Sequence, residues 1–151
     1  MKDHDFTTTF SVAQTPEEVF EAIKNVAGWW GAIEGSTENP GDEFTYRHKD
    51  VHYSRQKLVE VIPSKKLVWL VTDASLSFVK DKREWTGTQL RFEIARNRNE
   101  TEVRFTHAGL AQEFECFDAC SNAWIFYITG SLRGLIATGK GQPDLATVQI
   151  G

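Results

Sequence analysis

Residues 117–139, FDACSNAWIFYITGSLRGLIATG, decide the fold. Apolar or small side chains recur at Phe117, Cys120, Trp124, Tyr127, Ser131, Leu135 and Thr138. Steps of three and four trace one face of a long helix. A second row, Ile125, Ile128, Leu132 and Ile136, covers much of another face, and Arg133 is the only charge between Ala119 and Gly139. A helix apolar over so much of its circumference needs a broad partner surface. No second long helix precedes it, so that partner is expected to be a sheet.

The upstream sequence supplies the strands. Phe6, Thr8, Phe10 and Val12 alternate with Thr7, Thr9 and Ser11, as in a strand with one buried face. Thr15-Pro16-Glu17-Glu18 then gives an N-cap, a proline at the first helical position and a glutamate three residues after the cap. The helix that follows packs through Val19, Phe20 and Ile23 and stops before Gly28; Trp29-Trp30-Gly31 reads as a short second helix or turn. Beyond the turn chemistry of Asn39-Pro40-Gly41-Asp42, strands are expected near 43–48, 51–62, 66–73, 87–96 and 101–108. Pro63-Ser64-Lys65 and Asn97-Arg98-Asn99 mark hairpins. Leu90, Phe92 and Ile94, and then Val103, Phe105 and His107, alternate with polar residues, so each strand has one dry face. The fold class is α+β: about six antiparallel strands in the order β-α-α-β-β-β-β-β-α, curved around a long C-terminal helix, in a single domain spanning 1–151.

Composition narrows the function classes. Hydrophobic residues at 40% and charged residues at 25% suit a globular domain with a real core. The net charge of −4 and the lack of a basic stripe argue against nucleic acid. The chain opens Met1-Lys2-Asp3-His4-Asp5, without the apolar run of a signal peptide, and no stretch is long enough to span a membrane, so a cytoplasmic location is expected. Cys116 and Cys120 are four apart on one helix, a spacing that suits a disulfide poorly, and two cysteines alone do not close a metal site.

Several short motifs, in order, carry a resemblance over nearly the whole chain. Glu84-Trp85-Thr86-Gly87-Thr88, Leu90-Arg91-Phe92-Glu93-Ile94, Thr106-His107-Ala108-Gly109-Leu110, Trp124, Ser131-Leu132 and Thr138-Gly139-Lys140-Gly141-Gln142-Pro143 resemble the SRPBCC superfamily of START-related, helix-grip domains. The similar branch is the one named after the activator of the heat-shock-protein-90 ATPase. The resemblance implies a hydrophobic cavity between sheet and helix, used elsewhere in the superfamily for lipids, polyketides and other apolar molecules. It also implies two other roles: a protein-interaction module that modulates a chaperone ATPase, and a cyclase or aromatase type of enzyme. A superfold fixes none of these by itself.

The remaining constellations are weaker. Gly134 to Gly141 reads GxxxxGKG, but Gly141 stands where a phosphate-binding loop needs Ser or Thr, and a helix precedes it. Gly139 is better read as the left-handed residue that ends the helix, before Pro143. His48, Asp50 and His52 surround a hairpin turn at Lys49-Asp50, which leaves both histidines on solvated strand ends with no complete metal set. His107 points to the dry side of the sheet. No nucleophile-base order or paired carboxylates support catalysis, and beyond His107 the strands are read as sending almost nothing polar inward.

The aromatic set Trp29, Trp30, Phe44, Tyr46, Trp69, Phe78, Trp85, Phe92, Phe105, Trp124 and Tyr127 exceeds what a minimal core needs. The expected function is therefore non-catalytic binding of a small apolar ligand by Tyr46, Trp69, Trp85, Phe92, Phe105, His107, Trp124 and Tyr127, without a metal or other cofactor. Gly130 and Gly134, each costing about 1 kcal/mol in a helix interior, suggest a close approach on their face. A weak homodimer through exposed apolar surface is one such expectation.

Overall fold

The computed structural model describes residues 5–31, 33–48, 52–76, 85–110 and 117–142. Among them the order is β1 (Asp5–Val12), α1 (Pro16–Lys24), α2 (Val26–Trp29), β2 (Ile33–Gly35), β3 (Glu43–His48), β4 (His52–Ile62), β5 (Lys66–Leu76), β6 (Gln89–Asn97) and β7 (Glu100–Ala108). The C-terminal helix follows as α3 (Phe117–Ile125), a π-helical segment (Phe126–Leu132) and α4 (Arg133–Thr138). The strands form one seven-stranded antiparallel sheet, ordered β1-β7-β6-β5-β4-β3-β2. The expectation of about six strands therefore falls short by one. The addition is β2, three residues that pair with Phe44 to Tyr46 and are too short to show an alternation.

The local chemistry of the first helix is as the sequence indicates. Thr15 Oγ1 accepts from Glu18 N at 3.1 Å, and Glu18 Oε1 accepts from Thr15 N at 3.0 Å, which closes a capping box with Pro16 at the first turn. Val19, Phe20 and Ile23 are buried. The 36–42 loop is tied by Asp42, whose Oδ2 accepts from Asn39 N, Glu38 N and Ser36 Oγ. Those donors, the Asn39 N–H foremost, hold the exposed carboxyl of Asp42 below its usual range.

Two irregularities shape the sheet. Its register shifts between Arg55 and Gln56, and again between Leu58 and Glu60, so Thr72 on β5 and Val59 on β4 are extra residues in their ladders. Such bulges bend and twist a strand. The first one lets Val71 and Ala74 both face inward, and the second turns Val59 out to solvent.

The long helix is not uniform. Its centre is π-helical, a widening that inserts residues into the turn and concentrates at functional positions. Tyr127, Ile128, Ser131 and Leu132 are buried, but Ile125, placed by the sequence on an apolar row, is 44% exposed. Thr129 Oγ1 donates to Ile125 O at 2.5 Å, the kind of back-bond that perturbs a regular helix. The helix ends on Gly139 at φ 84°, in the left-handed region, with Gly139 N donating to Leu135 O.

Gly141, two residues beyond Gly139, serves packing. Ser131 Oγ donates to Trp29 O at 2.8 Å and accepts from Gln142 N at 2.6 Å, pinning the segment after the helix onto α2. A Cβ on Gly141 would lie 2.2 Å from Gly28 O and 3.2 Å from Ser131 O, both of them backbone atoms. Gly141→Ala is therefore expected to break this clasp and cost about 1–3 kcal/mol, the range for overpacking a fixed site. Thermal unfolding checks it, and an unchanged midpoint would contradict the clasp. The close approach expected at the helical glycines is found at Gly134, where a Cβ would meet Lys140 O at 3.0 Å, but Gly130 is exposed and touches only Phe126.

Candidate functional site

The inner face of the sheet and the buried face of the helix enclose a cluster of rings. Trp124 is in contact with Trp30, Trp85, Phe105 and His107, with ring centroids 5.1, 5.6, 4.6 and 5.9 Å away. Trp30 stacks on Tyr46 at 4.4 Å, and Trp69 and Phe105 each pack on Phe92. The structure brings all eight residues expected to face a ligand into this interior, none more than 4% exposed. Tyr127 reaches the cluster from the helix, with its hydroxyl 3.5 Å from that of Tyr46. Surface depressions lined by described residues lie elsewhere, at the Asn97–Glu100 hairpin and beside Ile33, Glu34, Thr45 and Arg47.

His107 sits in a hydrogen-bonded chain that fixes its protonation. The Trp124 Nε1–H donates to His107 Nδ1 at 3.0 Å, so Nδ1 is the unprotonated nitrogen. Nε2 therefore carries the hydrogen and donates to Thr88 Oγ1 at 2.8 Å, and that hydroxyl donates onward to Trp85 O at 2.5 Å. Each donor along this chain has one acceptor. Burial, and to a lesser degree the neighbouring His52, push the His107 pKa down to about 3. Both ring nitrogens of the neutral ring are thus engaged, and His107 holds the Trp124 indole in place.

β4 requires a correction. His52 is 8% exposed rather than solvated, and its ring packs on Tyr46, Trp85 and Trp30 at 5.1, 4.8 and 5.9 Å. Ser54 and Gln56, two and four residues on, are fully buried on the same face. Ser54 Oγ is 2.9 Å from His52 Nε2 and accepts from Gln56 Nε2 at 2.6 Å. The interior therefore holds a polar row where almost nothing polar was expected. Sequence reasoning missed it although the signal was present: Leu58 sets the inward phase, and counting back by two gives Gln56, Ser54 and His52.

One atom of that row is unmatched. Gln56 Oε1 is buried and has no hydrogen-bond partner. Such an orphan costs about 1–3 kcal/mol. Ser54 lies opposite Ala74 on β5, so two small side chains stand together on the inner face, flanked by Tyr46 opposite Ser54 on β3. Among the described residues no Asp, Glu, Lys or Arg is buried, and no group of three potential metal ligands occurs. Cys120 is buried, and its Sγ accepts from Trp85 Nε1 at 3.4 Å. Cys116, Phe78, Lys49, Asp50, Glu84 and Pro143 lie outside the described residues, as does the side chain of His48.

Sheet order, helix position and interior together define a helix-grip architecture. Solved structures with this fold include the Aha1 dimer from Colwellia psychrerythraea, at 22% identity and TM-score 0.73 over 91% of this chain and 98% of that one. DynU16, a protein of the dynemicin biosynthetic locus, matches at 17% identity and TM-score 0.71 over 93% of this chain and 49% of its own length. SSP2350 from Staphylococcus saprophyticus matches at 16% identity and TM-score 0.68, over 91% and 95% of the two chains. At these identities the likeness is one of fold. No protein-family model matches the sequence, and no curated protein matches it. No described helix is long and apolar enough to cross a membrane.

Proposed function

We propose that this domain binds a small, largely apolar molecule between its sheet and its C-terminal helix, and that it holds the molecule without transforming it. The observation that carries the reading is the mixed interior: an aromatic cluster with a buried polar row, His52-Ser54-Gln56, at the small-residue centre of the inner face. Ligand sites combine apolar walls with a few convergent polar groups in this way. Binding is favoured over catalysis because the one fully buried histidine is held neutral on both sides and no carboxylate joins it among the described residues. Tyr46, Trp85, Trp124 and Tyr127 form the walls, and the π-helical segment sets the position of Tyr127.

Native mass spectrometry of protein purified from cells, followed by denaturing extraction, tests the reading. A stoichiometric extra mass that extracts as a small apolar compound is the expected result. An unliganded mass, together with no thermal stabilisation by any of a panel of fatty acids, sterols and polycyclic phenols, would overturn it.

A second reading draws on the outer side of the helix. Ile125 is 44% exposed there, next to the half-buried Phe126, and the fold is shared with a protein solved as a dimer. On this reading the outer face contacts a protein, either a second copy of this chain or a chaperone. Light scattering across a concentration series is expected to show a weak dimer that Ile125→Asp abolishes. A monomeric mass at every concentration would remove the homodimer.

A further inference from the structure

We propose that Gln56 is the specificity-determining residue of the interior site and receives a hydroxyl group of the bound molecule. The inference rests on the small-ligand reading above and deepens it. Gln56 is fully buried on β4, yet its oxygen meets no donor, and native interiors leave few such atoms unmet. Packing does not require an amide at this position. The residues paired with it across the sheet, Phe44 and Val71, and Leu58 two places along the strand, are apolar and buried, so a leucine or methionine would suit the same surroundings. An unmet acceptor fixed by a hydrogen-bonded neighbour, Ser54, is the arrangement of a site awaiting a donor.

The chemistry of the amide selects the class of ligand. Ethers, ketones and esters only accept, and would leave Oε1 unmet. An ammonium would enter as an unpaired charge, because no described carboxylate is buried beside it. A hydroxyl donates to Oε1, and it suits the amide equally if the group is turned over, since its oxygen then accepts from Nε2. The rings around the row favour an aromatic carrier for that hydroxyl: Trp30 lies 5.9 Å from His52 and 6.3 Å from Phe44. The expected ligand class is thus a phenol or a hydroxylated polycycle.

Two isosteric pairs test the assignment, phenol against toluene and 2-naphthol against 2-methylnaphthalene, with Kd values from ligand-observed NMR. The wild-type chain is expected to bind each hydroxyl compound at least tenfold more tightly than its methyl partner. Gln56→Met and Gln56→Leu should reduce that ratio to about one, leave the methyl compounds unchanged, and match or exceed the wild-type melting temperature without ligand. Equal binding of hydroxyl and methyl compounds by the wild type, as when only a water meets Oε1, overturns the assignment while sparing the small-ligand reading. So does a hydroxyl preference that survives both substitutions. Should the variants fail to fold, equal binding of hydroxyl and methyl compounds by the wild type still overturns the assignment. Failure of all four probes to bind the wild type would overturn this assignment and leave the small-ligand reading to the mass spectrometry and the wider panel above.

Discussion

Replacing Trp124 by alanine is expected to cost about 3–5 kcal/mol of folding stability, the range for deleting a large aromatic from a core. The side chain is 2% exposed and touches four other rings, so the vacated space borders groups held by their own partners. Among the described residues it also supplies the donor to His107 Nδ1, and removing it leaves a buried acceptor unmet. Denaturant unfolding at pH 7 measures the total. Trp124→Phe is expected to cost less, about 1–3 kcal/mol, because phenylalanine keeps part of the apolar contact while losing the indole N–H and one of its two fused rings. A loss below 1 kcal/mol for the alanine variant would mean that the cluster is not the mechanical centre of the domain. If the interior binds a ligand, Trp124→Ala should also weaken that binding more than any surface charge reversal, measured at a temperature where the variant is folded.

The centrality of Trp124 was legible in the sequence, but the reason for it was only partly so. Steps of three and four along Phe117–Gly139 put Trp124 and Tyr127 on one face, and strict alternation put His107 with Val103 and Phe105 on the facing strand. Together those two periods bring a tryptophan over a histidine. They do not say that the indole N–H points at Nδ1, because side-chain torsions and depth leave no periodic trace. The π-helical segment was invisible for a related reason: widening a helix conserves the general apolar pattern and only moves individual residues around the axis. Ile125 was carried out to solvent in this way, while Ile128 and Leu132 stayed buried.

The polar row on β4 was missed for a different reason. The inward phase was there to be read from Leu58, but an inward face was equated with an apolar one, while the turn at Lys49-Asp50 placed His52 on a solvated strand end. The same equation ranked the interior as having almost nothing to offer a polar group. Ser54 and Gln56, fully buried and hydrogen-bonded to each other, contradict it. Gly141 is a parallel case. As part of GxxxxGKG it suggested phosphate, and its real constraint, a backbone oxygen 2.2 Å from where a Cβ would sit, comes from residue 28, more than a hundred positions away.

The state of His107 should make the domain labile to mild acid. Its ordinary pKa of 6.5 falls to about 3 in the fold, so the folded chain resists a proton that the unfolded chain accepts. A depressed base contributes its full stability above the unfolded value, and that contribution is lost as pH falls below it. Stability is thus expected to be flat above pH 6.5 and to decline by about 1.4 kcal/mol per pH unit between pH 6.5 and 3. Summed over that window the loss is about 4–5 kcal/mol, comparable to the whole stability of a modest domain. Asp42 enters later, since a carboxyl held below its ordinary 3.8 adds lability only as pH drops through that value. His107→Gln separates the contributions, because the glutamine amide can accept from Trp124 and donate to Thr88 but takes no proton near neutrality. In urea titrations from pH 7 to 4 the wild-type stability should fall steeply and that of His107→Gln should stay nearly level. Parallel slopes in the two proteins would show that the acid lability does not arise from His107.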